Sequence, residues 1–487
     1  MPDFGFVGPS YEAPSLTQDA QECINFFPEV DPMKPQGERG VIALYPTPGL
    51  IEKAQLFPGE VRGMRALSGG EYLIAVAGPN VYKITNNWVA TQVGTLTTNS
   101  GPVSITDNIM TGSGLTAYMV DGANRYTWVA ATNVFTRLPT TDGAWTGATV
   151  CDVLDGYVVY NQPGTQNWAN TDLDSPLSTA ALYGAKNGAP DPIVSLICDH
   201  RQVYLLGEKT TETWVDVGGT IPNITTFPFQ RISGTMLQDG IAAPFSLARF
   251  GDSIMFVGRD ERGTATIGTI EGYKYVRLST HAVEATLENI DISDAVAFVQ
   301  QLRGHEMYVV TFPQADLTWV FDNQTKLWHK WLAWDNGEFH RHRANCGALF
   351  NGVNIVGDYE NGKIYEVDLE TYTDNGKTIR RVRRCPHLVS DLQRFYFDEL
   401  QIQFQPGVGL NLGQGQDPQA MLRWSNDGGS TYSSEHWVSI GKMGAYKNRA
   451  IWRRLGYARD RIFEVVVTDP VKAVIVSANL KASVGDN

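Results

Sequence analysis

The densest set of polar side chains at fixed spacing is Ser425-Asn-Asp427-Gly-Gly429-Ser-Thr431-Tyr432, an Asp-box pattern of Ser-x-Asp-x-Gly-x-Thr-aromatic. A carboxylate between two hydroxyls can serve as an acid, a base or a nucleophile. The same residues also build a hairpin, in which Asp, Ser and Thr bond the turn backbone, Gly supplies a positive φ and the aromatic ring packs beneath. A second candidate is His340-Arg-His342 with Cys346 following, two imidazoles on one strand face and a thiol at a distance a metal site could use. No fourth ligand is evident, so packed or solvent-facing histidines are expected. The sequence holds no P-loop, no nucleophile elbow, no His-Glu-x-x-His and no dinucleotide fingerprint. Carboxylate pairs such as Asp172 and Asp174 are unavoidable among 52 acidic residues.

The Asp box is specific for its local turn and nearly silent on catalysis. Sialidases repeat it over several blades and add an arginine triad, a tyrosine nucleophile with a glutamate partner, and an aspartic acid. Here one copy stands without a recognisable triad. The expectation is therefore a structural hairpin of Ser425, Asp427, Gly429, Thr431 and Tyr432, with no catalytic, cofactor-binding or metal-binding residues and no enzymatic activity. A tail-associated carbohydrate-binding or sialidase-like propeller is the alternative.

The elements that must position these groups follow from composition and pattern. The 487 residues suffice for two or three domains, and 43% apolar with 19% charged residues is the make-up of a folded protein. A net charge of −13 opposes phosphate binding over the whole surface. Five widely spaced cysteines, Cys23, Cys151, Cys198, Cys346 and Cys385, suggest reduced, buried thiols rather than a disulfide framework. The N-terminus has no basic and apolar leader pattern and no segment is apolar enough for a membrane span, so synthesis and folding in cytoplasm are expected.

Short runs rich in Val, Ile, Tyr, Trp and Thr, punctuated by 48 Gly and 24 Pro, predict an all-β protein. Similar units begin near Arg62, Gly101, Ala148, Pro192, Pro244, Asp294 and Asn345. Their spacing is that of a four-stranded propeller blade, and such units bury both faces only by closing a ring. A six- or seven-bladed β-propeller is predicted over 59–377. Within it, Trp319-Val-Phe-Asp322 to Thr325 and Trp328 resembles a kelch hairpin, with its Trp packed between blades. Residues 1–58, proline-rich, read as an extended strap that gains order by packing on other surfaces. Residues 378–487 read as a β-sandwich-like domain. Its stretch 380–463 carries 13 Lys or Arg against 7 Asp or Glu, a balance of +6 that leaves −19 elsewhere.

Several strings in colinear order resemble the packaged-DNA stabilisation proteins of short-tailed phages, the tail hub or nozzle subunits. They are Asn25-Phe-Phe-Pro-Glu29, Leu44-Tyr-Pro-Thr-Pro-Gly-Leu50, Leu154-Asp-Gly-Tyr157, Trp168 to Asp172, Leu206 to Trp214 and Ser279 to Glu284. Leu422 to Gly429, Trp452-Arg-Arg-Leu-Gly456 and Thr468-Asp-Pro-Val471 complete the series. The resemblance implies a structural virion protein, a homo-oligomer forming a hexameric ring, that conducts and retains genomic DNA without reading its sequence. It implies portal and adaptor proteins, and tail fibre, spike or needle proteins, as partners, and assembly in the host cytoplasm. With it goes the expectation of an acidic lumen and of a basic 380–461 region facing acidic neighbours.

Overall fold

Tight hairpins set the local structure. Between Cys151–Leu154 and Tyr157–Asn161 the turn residues Asp155 and Gly156 have φ of 46° and 90°, and Asn351 and Gly352 repeat this at 52° and 76°. Two successive positive φ values match the right-handed twist of the flanking strands, which is why Asp, Asn and Gly occupy these turns. The computed structural model describes residues 4–34, 41–139, 145–178, 183–218, 220–221, 224–225, 227–260, 262–389 and 393–485. Residues 1–3 and 35–40 of the expected strap, and 486–487 of the C-terminal domain, lie outside these. Among the described residues the one α-helix is His281–Ala285, capped by Thr280, and no helix is long and apolar enough to cross a membrane.

Seven four-stranded antiparallel blades form the propeller. They begin at Val61, Ser104, Cys151, Ile193, Ala248, Val296 and Ala344, close to the seven units legible in the sequence. Each junction between neighbouring blades holds its own apolar cluster. Trp128 with Ile74 and Val76 fills the space between blades 1 and 2, and Trp168 with Leu205 and Phe229 that between blades 3 and 4. Trp319 and Trp328 pack with Val257 and Ile267 between blades 5 and 6. The Trp328 indole donates to the Leu278 carbonyl of blade 5 at 2.9 Å, so this ring does lie between blades. The ring closes with a strand from far away: Gly49–Gln55 pairs antiparallel with Lys363–Asp368 as the fourth strand of blade 7.

The rest of the N-terminal segment enters the second unit. Ala20–Ile24 bridges the last strand of blade 6, Trp328–Lys330, and pairs with Arg381–Arg384. Beyond it come Asp460–Val467, Gln419–Ser425 and His436–Ser439, so blade 6 and one sandwich sheet form a single eleven-stranded sheet. The facing sheet runs Phe26–Val30, Ile42–Pro46, Ile475–Val484, Phe395–Phe404 and Ala450–Arg453. Their shared core contains Phe26, Leu44, Phe397, Leu400, Phe463 and Ile475. The fold is thus all-β, a propeller with a β-sandwich, and the N-terminal residues are strands of both.

Candidate functional site

The Asp-box hairpin follows the strand Gln419–Ser425. Asp427 Oδ1 accepts from the Ser425 hydroxyl at 2.7 Å and the Thr431 amide at 2.9 Å, and Oδ2 accepts from the Thr431 hydroxyl at 2.5 Å. Ser425 Oγ in turn accepts the Gly429 amide at 2.8 Å. Gly428 and Gly429 supply φ of 71° and 96°. The Thr431 and Ser425 hydroxyls hold the Asp427 carboxyl down at about 2. A carboxylate so held stays ionised at neutral pH and has no proton to give. Tyr432 lies beneath the guanidinium groups of Arg423 and Arg384, 4.7 and 5.3 Å from its ring centre.

Those arginines belong to a ladder of charge that the sequence does not reveal. Lys330, Glu22, Arg384, Glu464 and Arg423 come from five adjacent strands of the long sheet and alternate in sign across it. Lys330 Nζ donates to Glu22 at 2.8 Å, and Arg384 lies 3.1 Å from the other Glu22 oxygen. Arg384 Nε donates to Glu464 at 3.0 Å and Arg423 Nε to its second oxygen at 2.5 Å. Burial alone would raise the Glu22 carboxyl, but Lys330 and Arg384 outweigh it and bring it down to about 2. Five strands, one near residue 20 and four beyond residue 327, are thereby locked in one register.

Asn25 secures the same junction. It adopts φ 57°, and its amide donates to the carbonyls of Leu332 and Arg380, each at 2.8 Å, while its oxygen accepts the Leu332 amide at 2.8 Å. Nearby, His305 of blade 6 is held by Asp322 at 2.8 Å and by Glu29 of the N-terminal strand at 2.6 Å.

Four arginines of the basic stretch turn inward. Arg381, Arg383 and Arg461 are at most 1% exposed. Arg383 donates to the carbonyls of Phe6, Pro9 and Glu22, and Arg461 to those of Leu455 and Tyr457 while lying over the Phe397 ring. With Arg384 in the ladder, this corrects the expectation that the whole Arg380–Arg461 region faces acidic neighbours. Nothing in spacing separates an interior arginine from a surface one; the carbonyls that satisfy Arg383 lie in the N-terminal segment, more than 350 residues away.

His340 pairs with Asp316 at 2.7 Å. His342 is buried, its Nδ1 accepts the Ala344 amide at 3.2 Å, and burial lowers it to about 4. The Cys346 thiol donates to the Val61 carbonyl at 3.7 Å. Among the described residues no three His, Cys, Asp or Glu side chains converge as a metal site. All five cysteines are free, and burial pushes the thiols of Cys23, Cys151, Cys346 and Cys385 up to about 12.

Comparison with known proteins gives two family matches that together span most of the chain. The family described as Bacteriophage P22 Gp10, beta-propeller, matches residues 21–372, and that described as Bacteriophage P22 Gp10, beta-sandwich, matches residues 380–483. No curated protein matches. Among solved structures, the extracellular domain of the hybrid two component system BT4673 from B. thetaiotaomicron is similar at 10% identity and a TM-score of 0.43, over 80% of this chain and 47% of that one. The chain thus spans about half the length of that protein.

Proposed function

Because the chain belongs to the bacteriophage P22 Gp10 family of phage tail structural proteins, we propose that it is a tail hub or nozzle subunit. In this reading, copies form a hexameric ring below the portal and adaptor proteins and above the fibre, spike or needle proteins. The ring retains packaged genomic DNA and conducts it at ejection. The observation that carries the proposal is the family match over both units. Two features support it. The eleven-stranded sheet and its ion ladder tie propeller to sandwich, as suits a part loaded by packaged DNA. A net charge of −13 leaves a surface over which a duplex can slide without gathering phosphate contacts.

The carbohydrate-directed alternative has no observation in its favour, since the Asp427 carboxylate is engaged by its own turn. The test is loss of packaged DNA from particles that lack the protein, combined with binding of a duplex of roughly 30 base pairs at two salt concentrations. Leakage with negligible free-protein affinity supports a conduit that retains DNA sterically. Tight binding that persists at ~150 mM salt refutes it in favour of a direct clamp.

A further inference from the structure

The basic residues that remain outside are concentrated at one extremity. From His436 to Arg459 there are six cations, among them Lys442, Lys447 and Arg449, and no acidic residue. This stretch begins with His436–Ser439, the last strand of the long sheet and the one farthest along it from blade 6. The loop after that strand packs on the uncharged loop 405–416: the Gly407 backbone abuts the Tyr446 ring, and Gly409 abuts the backbone of Lys442 and Met443. Together the two loops expose Leu412 at 82%, Tyr446 at 73% and Met443 at 54%. Lys442 lies 3.8 Å from Asp417 at the edge of this cluster, and Lys447 and Arg449 stand beside it. Isolated exposed apolar side chains need no explanation, but a cluster rimmed by cations marks an interaction surface.

A complementary surface lies on the other side of the propeller. In a ring of seven, blades 2 and 3 are the farthest from blade 6, which carries the sandwich. On one face of blades 2 to 4 the turns bring together Asp155, Asp172, Asp174 and Asp216. Arg201 of blade 4 holds Asp155 at 2.8 Å, and the Thr111 amide of blade 2 donates to the Asp174 carbonyl at 2.8 Å. The Asp174 amide donates to the Gly156 carbonyl at 3.0 Å, which sets the turns of Asp155 and Asp174 side by side, and the charges of Asp216, Asp172 and Asp174 add to burial in raising the Tyr157 hydroxyl. Ile109 and Leu173 stand exposed among them, at 70% and 55%.

We propose that copies of this chain associate head to tail, the basic apolar tip formed by loops 405–416 and 440–449 of one copy seating on the acidic apolar face of blades 2 to 4 of the next. The inference rests on the oligomeric tail reading and assigns its contact surfaces. The two patches differ in sign, share exposed apolar side chains and lie on different units, the tip on the sandwich and the acidic face on blades remote in the ring from blade 6. A contact between unlike patches is heterologous, and heterologous contacts close into rings when the rotation permits. The charge complementarity selects a second copy as the occupant.

The test uses two charge reversals in the full chain, Lys447→Glu with Arg449→Glu, and Asp172→Lys with Asp174→Lys, with association read by analytical ultracentrifugation at low and moderate salt. Circular dichroism and melting establish that each variant is folded. Each double reversal alone is expected to weaken self-association at least about tenfold. Mixing the two variants is expected to restore it, because every contact in an alternating ring is then complementary. If the wild type forms oligomers and both reversals do so unchanged, the surfaces are wrong while the ring stands. A wild type that is monomeric at all concentrations overturns the ring and the surfaces together. Loss, in the tip variant alone, of binding to vesicles containing anionic phospholipid, with oligomers intact, overturns the proposal in favour of a membrane-facing tip.

Discussion

At the scale of single residues, polar groups in this protein are spent on backbone and on one another. Asp427→Ala removes the acceptor for three donors of its turn, so the expected outcome is a frayed hairpin, seen as faster amide exchange and proteolysis around 426–431, with the rest of the fold intact. Glu464 is fully buried between Arg384 and Arg423. Glu464→Ala leaves Arg423 without its counter-charge and Arg384 with Glu22 alone, and should cost about 3–5 kcal/mol in denaturant unfolding. His305 gives a pH dependence of definite sign. Its bond to Asp322, against the cost of burial and with help from Glu29, raises it to about 9. A raised histidine contributes stability that is complete below about 6.5 and is lost as pH rises through about 9. The melting temperature should therefore fall across that window, and His305→Asn should flatten the fall.

At the scale of elements, the strand Gly49–Gln55 holds the ring shut through Leu50 and Ala54, which pack in the clusters on either side of blade 7. Leu50→Ala, at a site 1% exposed, should cost about 2–5 kcal/mol, measured by chemical denaturation. Removal of residues 1–55 should do more than abolish ring assembly, because the sandwich loses Phe26 and Leu44 from its core at the same time. The seven blades were legible because each, apart from the fourth strand of blade 7, is a run of hairpins whose partners are near in sequence, and alternation with turn residues marks such pairs locally. The first 55 residues were not. Ala20–Ile24 and Gly49–Gln55 take partners near 330, 364 and 383, and the prolines around them, such as Pro14, Pro28, Pro46 and Pro48, hide the strand signal. The ion ladder was hidden for the same reason, since Glu22 and Lys330 are 308 positions apart. The Asp box could be read in full because all its hydrogen bonds lie within seven residues.

At the scale of the whole molecule, two units distinguished by family share one sheet, one ion ladder and one N-terminal segment. A single cooperative thermal transition is expected, with near-coincident curves from tryptophan fluorescence, weighted to the propeller, and from amide exchange in the sandwich strands. Two well-separated transitions would contradict the continuity of the sheet. The closure by Gly49–Gln55 also governs the birth of the chain. Glu52 must meet Lys363, 311 positions later, and at ribosomal speeds of roughly 5–20 residues per second that wait is on the order of 15 to 60 s. Leu44 waits longer still, for Ile475. A chain released before Lys363–Asp368 is made keeps an open ring, and one released before Ile475 keeps an unpaired sandwich edge, so synthesis of both closing strands is expected to precede any stable fold.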